Sequence, residues 1–398
     1  MDYAPKRRLI LLAAAAAAIL LSGLFLLNSP DGAGSSHSAL EPAMFDKTKT
    51  ICIGRLLVDV PVEVEAIGWD NSYNLGTIEV GFGVPKYREM LDATLKKLKN
   101  KEDRYEYVKS EYPEGGDKQI IISRVDLFGD MSYAVDAFTL NPKYIPGAGY
   151  FFYLSGKSYD ENRMDEIISR YKAVLSNIRY RPDSEIPTEP GFCFKDGFIA
   201  NDGKVSQGEM VEVRFKLKSN PDVVIEISSD VSHVVFPPLL ERLNAGEQKL
   251  PLISRMKISK IRQGKREING MPGEESVVTF PAEDKTGTVH DFSWETMGEM
   301  DNPLKPNIQI DVESGYDETG MGGATASSLD TKQMLQLFEA IVKTIRFRPV
   351  TENPSDGKAK PESSPPAPSQ PGAQAPEASP QRVSTGQPCP KTGLWRCV

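Results

Sequence analysis

Residues 176–182 read SNIRYRP, and residues 343–349 read KTIRFRP. Each phrase closes a run of apolar residues at helical spacing. The first run is Ile167, Tyr171, Val174, Leu175 and Ile178; the second is Met334, Leu337, Phe338, Ile341 and Ile345. Cap candidates stand upstream of both, Asp160 or Asn162 in one case and Ser328 or Asp330 in the other. Past each helix the chain should extend. Strand alternation there predicts the aromatic turned inward, both arginines turned outward, and the proline as a stop. The first arginine of each phrase falls near a helix C-terminus, where a cation is favoured.

The parallel continues upstream. SGKSYDE (155–161) and SGYDE (314–318) precede the two helices, and strand-like TIEVGFG (77–83) and VVIEISS (223–229) each run towards a proline-opened helical segment. Strand candidates QIIISRV, SYAVDAFTL and YFFYLSG in the first half answer EESVVTF, VHDFSWETM and NIQIDVES in the second. Each half also opens on a cysteine-led strand, ICIGRLLVDV and FCFKDGFI. Agreement in order predicts an α+β fold of two tandem, duplicated units. Each unit would hold a mostly antiparallel sheet with one early and one late helix. The expected divisions are 1–28, a membrane anchor or signal segment; 29–46, a linker; 47–186 and 187–350, the two α+β domains; 351–387, a disordered Pro/Ser/Ala-rich tail; and 388–398, a terminal Cys loop.

The amino-terminal segment sets the compartment. Lys6, Arg7 and Arg8 precede a stretch from Leu9 to Leu27 that is apolar apart from Ser22 and Gly23. As a helix it would reach about 30 Å, the thickness of a bilayer core. The basic cluster before it keeps the N-terminus cytoplasmic and sends the rest across the inner membrane as a single-pass protein. A cleaved signal peptide is the rival reading, but the run exceeds a usual signal core and no small-residue cleavage site follows it. Four cysteines (Cys52, Cys193, Cys389 and Cys397) suit an oxidising space and allow three disulfide pairings. Cys389 and Cys397 are close enough to pair locally, which would leave Cys52 to Cys193. If the halves are duplicates, that bridge joins corresponding strands. The formal net charge of −8 argues against a nucleic-acid partner and against attraction of the surface as a whole to anionic lipid.

No catalytic signature is present: there is no G-x-S-x-G elbow, H-E-x-x-H or phosphate loop. His290 is followed by Asp291 and His233 lies beside Ser232, but structural roles are the better expectation for both. The cysteines lack paired metal spacing and His37, His233 and His290 are scattered, so neither metal nor cofactor is expected and the chain does not read as an enzyme. Binding has more candidates. GYDETGMGGATASS (315–328) is a long Gly-rich loop carrying Tyr316, Asp317, Glu318 and Met321, suited to contact a protein partner or to serve as a plain connector. YFFYL (150–154) is expected between layers, and Lys96, Lys97, Lys99 and Lys101 on a solvated helix end. CPKTGLWRC displays Trp395 and Arg396 on a small loop of open role.

CIGRLLVDVP (52–61), PGFCFKDGFI (190–199) and the two Arg-aromatic-Arg-Pro phrases resemble the two-domain immunity proteins paired with lipase effectors of type VI secretion systems. The resemblance covers about Lys47 to Val350. It implies a periplasmic antidote whose two domains grip a cognate phospholipase of α/β-hydrolase type and hold its lid closed. The shared motifs look structural, so no contact residue is carried over. From the residues alone, the alternative is a membrane-tethered ligand-binding or envelope-scaffold module.

Overall fold

The computed structural model describes residues 47–73, 76–114, 117–127, 129–141, 149–205, 208–234, 236–283, 286–315 and 325–351. The Leu9–Leu27 segment, the tail beyond Thr351 and the Cys389–Cys397 loop lie outside these. Among the described residues no helix is long and apolar enough to cross a membrane.

The first half runs β1 (Thr48–Ile53), β2 (Leu56–Pro61), β3 (Val64–Tyr73), β4 (Thr77–Phe82), α1 (Val84–Lys99), β5 (Glu106–Glu111), β6 (Asp117–Leu127), β7 (Asp130–Asn141), β8 (Tyr150–Tyr159), α2 (Met164–Asn177) and β9 (Ile178–Tyr180). The second repeats that order: β10 (Gly191–Phe194), β11 (Gly197–Ala200), β12 (Glu209–Leu217), β13 (Val223–Asp230), α3 (Leu239–Gln248), a short α4 (Leu252–Arg255), β14 (Ser259–Lys265), β15 (Glu274–Pro281), β16 (Thr288–Thr296), β17 (Asn307–Ser314), α5 (Thr331–Val342) and β18 (Arg346–Phe347). The late helices start differently. Asp330 caps α5 in a capping box with Gln333, whereas α2 is entered through a 3₁₀ turn, Glu161–Arg163, and neither Asp160 nor Asn162 caps it.

The two sheets expected from the sequence are one. Its strand order is β14-β15-β16-β17-β13-β12-β3-β4-β8-β7-β6-β5, antiparallel throughout and palindromic about the β12–β3 seam. Strands β3 and β12 would each be an unpaired edge in a separate sheet. Joining them satisfies both rows of backbone donors and acceptors. Strand residues alternate between two layers. Ile120 and Ile122 enter the main core beneath α2, while Ile121 packs with Tyr87 and Leu98 of α1 on the far face. YFFYL divides the same way, Tyr150, Phe152 and Leu154 to one core and Phe151 to the other, so it is buried between layers as its sequence indicated. In the second half one face stays polar, as the strict buried/half-buried alternation of β12 and β13 records.

The end of each half completes the hairpin of the other. Strand β9 pairs with β11, and β18 pairs with β2, giving two small three-stranded sheets. These hairpins are joined by mutual backbone hydrogen bonds between Gly54 and Cys193, both 2.8 Å, and by the Cys52–Cys193 disulfide, Cα–Cα 5.8 Å. Gly54 sits at φ +57°, and a Cβ there would lie 3.0 Å from Ser229 Oγ, so the joint needs glycine. One core cluster then holds Val58 and Val60 of β2 together with Tyr171, Phe192, Leu337 and Ile341.

The arginines depart from simple alternation. Arg181 and Arg348 are buried, 1% and 5% exposed, while Phe347 is exposed. The cause is the linking segment 182–191, where Pro182, Pro187 and Pro190 interrupt any ladder and leave carbonyls needing donors. Arg348 donates to the carbonyls of Pro187, Glu189 and Gly191 at 2.6–2.7 Å. Arg181 serves those of Glu185 (2.9 Å), Phe194 (3.1 Å), Gly197 and Pro182 (3.3 Å each). A guanidinium supplies five donors in a fixed fork, which no other side chain does. Burial, with Arg55 nearby, lowers the Arg348 pKa to about 10, so it stays charged at neutral pH. The first arginines face outward as expected: Arg346 pairs with Asp59, and Arg179 with Glu185 and Glu189.

Two measurements follow from this architecture. Arg348→Ala leaves two buried carbonyls, of Pro187 and Gly191, and the half-buried one of Glu189 without this donor; at about 1–3 kcal/mol for each buried group it should cost at least about 2 kcal/mol in urea unfolding. Arg346→Ala, removing a half-exposed pair, should cost about 1 kcal/mol or less. The disulfide spans a sequence separation of 141. Cys52→Ser should therefore lower stability by about 4–5 kcal/mol at most on the chain-entropy estimate, and reductant should then have no further effect on the described body.

Candidate interaction surfaces

The Gly-rich loop predicted to contact a partner is held at its base. Residues Tyr316, Asp317, Glu318 and Met321 lie outside the described residues, but both flanks are fixed. Thr325 N–H donates to the Gly315 carbonyl at 2.8 Å, and Gly315 N–H to the Asp222 carbonyl at 3.1 Å. The Asp222 carboxylate accepts from the backbone N–H of Ser328 at 2.9 Å and from its hydroxyl. Gly315 has φ +84°, and a Cβ there would strike the Thr325 carbonyl at 2.4 Å. Beneath the base, the His290 ring bonds Ser314 Oγ (2.8 Å) through Nδ1 and Thr331 Oγ1 (3.0 Å) through Nε2. His290 is thus a tie between the end of β17 and the start of α5, and burial lowers its pKa, opposed by Asp330 and Asp222.

A second surface lies at the other end of β17, and nothing in the sequence reading singled it out. Three loops meet there: 201–205, 231–234 and 297–305. Asp301 N–H donates to the Ser232 carbonyl at 3.0 Å, and His233 pairs with the Asp301 carboxylate. Leu304 packs against Gly203, where an added Cβ would come within 2.7 Å of its Cδ2. On these loops Val205, Val234, Met297, Met300 and Leu304 are exposed. Their sequence signal is modest: large apolar residues inside turn-rich ETMGEMDNPL, where a solvated loop would hold polar ones. Under them, Arg55 grips the Glu209 carboxylate with two bonds of 2.8 and 2.7 Å, and its remaining branch donates to the Asn201 carbonyl at 3.1 Å. Asn201 in turn donates to the Tyr73 hydroxyl at 2.6 Å. Burial raises the Glu209 pKa while Arg55 lowers it, and the bidentate pair joins β12 to the β1–β2 turn as a firm floor.

The triad fragments noted in the sequence do not assemble. Ser232 donates its hydroxyl to the Val234 carbonyl at 2.8 Å, while exposed His233 is engaged by Asp301. His290 is occupied on both ring nitrogens. Among the described residues no group of three or more His, Cys, Asp or Glu could hold a metal ion. Two shallow surface grooves among the described residues are lined by ion pairs. One lies where Lys172 of α2 meets Glu111 of β5, the other where Glu339 of α5 meets Arg262 and Arg266.

A disulfide between the halves, a duplicated sheet with reciprocal strand exchange and exposed apolar loops on a firm scaffold are the anatomy of a binding protein. Residues 49–181 match the family profile of the Tle cognate immunity protein 4 N-terminal domain, and residues 185–350 that of its C-terminal domain. The chain belongs to this immunity-protein family. Among solved structures it is similar to the immunity protein TplEi of the type VI secretion system from Pseudomonas aeruginosa in complex with "L" peptide, at TM-score 0.62 and 23% identity, covering 77% of this chain and 100% of that one. It is also similar to a chain in the Tle4–Tli4 complex, at TM-score 0.65 and 24% identity, covering 76% of this chain and 98% of that one. Comparison with curated proteins returned no match.

The His290 tie predicts a pH dependence. An unfolded histidine titrates near 6.5, and burial holds the folded one lower. As pH falls through about 6.5 the unfolded chain takes up a proton that the folded chain refuses, so stability declines. Urea unfolding of His290→Gln across that range should show a shallower acid-side decline than the parent; identical slopes would remove His290 as its source.

Proposed function

We propose that the protein is a periplasmic inhibitor that binds a cognate type VI lipase effector and keeps its lid from opening onto membrane lipid. The observation that carries this reading is the match of both halves to the two domains of one immunity family. The neighbour solved as a Tle4–Tli4 complex and the TplEi structure with a bound peptide supply the analogy for a protein partner. Inhibition of this kind needs shape complementarity over roughly 1,600 Å² rather than reactive groups. It acts without turnover, by preferring the closed lipase. The Gly-rich loop, through Tyr316, Asp317, Glu318 and Met321, is one proposed contact. The exposed Met297, Met300 and Leu304 cluster is another, since Met and large apolar groups on a rigid base suit interface cores. The Leu9–Leu27 segment serves as an inner-membrane anchor, raising the inhibitor's concentration where the lipase acts.

Co-purification with its cognate lipase should yield one complex with lipolysis suppressed. Tyr316→Ala together with Met321→Ala, or Met300→Asp alone, should weaken that complex by at least about tenfold. Free, active lipase after mixing with the intact protein would overturn the reading.

A further inference from the structure

One stretch of the second half has a chemistry that the inhibitor role does not use. From Lys249 to Arg266 the chain holds seven Lys or Arg and no Asp or Glu, within a protein of net charge −8. The stretch runs from the end of α3 through α4 into β14, the outermost strand of the sheet. Some of these cations have partners. Lys260 pairs with Glu247, and Arg262 and Arg266 share Glu275 and Glu339. Lys249, Arg255, Lys257 and Lys265 make no ion pair among the described residues.

Three of these, Lys249, Arg255 and Lys257, flank an apolar tip in sequence, while Lys265 lies at the far end of β14. Leu252, Ile253 and Met256 are 65%, 63% and 78% exposed, while Ser254 on the same turn is buried. Ile261 is exposed just beyond, at the point where the β14 register shifts. Cations on an edge strand are a common guard against pairing with another sheet, which accounts for Lys265. That guard does not account for three large aliphatic side chains held in water on the adjoining turn. Protein interfaces favour aromatic residues, Met and Arg and are poor in Lys. This tip offers Met256 but no aromatic residue, and two of its three flanking unpaired cations are lysines.

We propose that the Lys249–Lys257 turn docks on an anionic phospholipid surface, with Leu252, Ile253 and Met256 entering the acyl boundary and the flanking cations meeting headgroup phosphates. Aliphatic insertion combined with a basic collar is the pairing that interfacial contact requires. The stretch itself holds no carboxylate, and the neighbouring Glu247 is paired with Lys260. The proposal is independent of the effector reading. It would orient the second half towards the bilayer whether or not a lipase is bound.

The test uses the full chain, with or without vesicles, and reads hydrogen exchange at residues 250–258, a local signal that an anchor at Leu9–Leu27 does not produce. Vesicles of phosphatidylcholine with about 30 mol % phosphatidylglycerol should slow exchange there by at least about tenfold, and about 0.5 M NaCl should reverse most of it. Lys249→Glu with Lys257→Glu should abolish the effect while leaving urea stability within about 0.5 kcal/mol, as expected for exposed substitutions. Unchanged exchange on anionic vesicles, or equal protection on phosphatidylcholine alone, overturns the proposal. Protection that appears only on adding the cognate lipase without vesicles also overturns it, and assigns the turn to a protein interface.

Discussion

The joint between the hairpins β1–β2 and β10–β11 is where the two halves of the chain become one object. Gly54 and Cys193 exchange backbone hydrogen bonds, and the disulfide beside them fixes the approach. Each hairpin is a two-stranded piece with an open edge, marginal alone in water. Each is closed by a strand from the opposite half, β18 on β2 and β9 on β11. The sheet seam, the shared core and the arginine-fed linker all require these hairpins to sit back to back. Arg348 makes the dependence plain, since its backbone bonds the Arg55 carbonyl while its side chain bonds the linker.

The palindromic strand order has a geometric corollary for recognition. Because β3 and β12 run antiparallel at the centre, equivalent loops of the two halves project from opposite ends of the sheet. Eleven inter-strand spacings of about 4.8 Å put its outer strands roughly 50 Å apart. Repeated sequence therefore does not make a repeated face. The halves also differ in cover: α1, of 16 residues, packs across an apolar face, whereas α3, of 10, leaves a polar one open. A partner gripping both halves meets two different surfaces.

Much of this was legible in the chain. The doubled Arg-aromatic-Arg-Pro phrase, the matched strand candidates and the late helices all reappear, because 3.6- and 2-residue periodicities are local signals. Four strands were not singled out: β5 and β14, the sheet's two outer strands, and β3 and β12, which form the seam; without the seam pair the halves read as separate sheets. EMVEVRFKL does alternate, but nothing local tells a strand which neighbour it will meet. The outward placement of Arg181 and Arg348 failed for a related reason. Alternation knows the strand and not the proline-broken segment lying across it, whose carbonyls draw the guanidinium inward. The exposed Met297, Met300 and Leu304 escaped notice because only the fold brings their loop against those at 201–205 and 231–234.

Strand exchange between halves also fixes an order of events as the polypeptide is made. Asp59 waits for a hydrogen bond from its backbone to Thr344, 285 residues downstream, so the first hairpin cannot be finished until nearly the whole folded region has emerged. Its cysteine partner arrives much earlier, at a separation of 141. Covalent linkage can thus form while β2 still lacks its neighbour, holding a half-built hairpin near its eventual position. Contacts this distant along the chain make for slow folding.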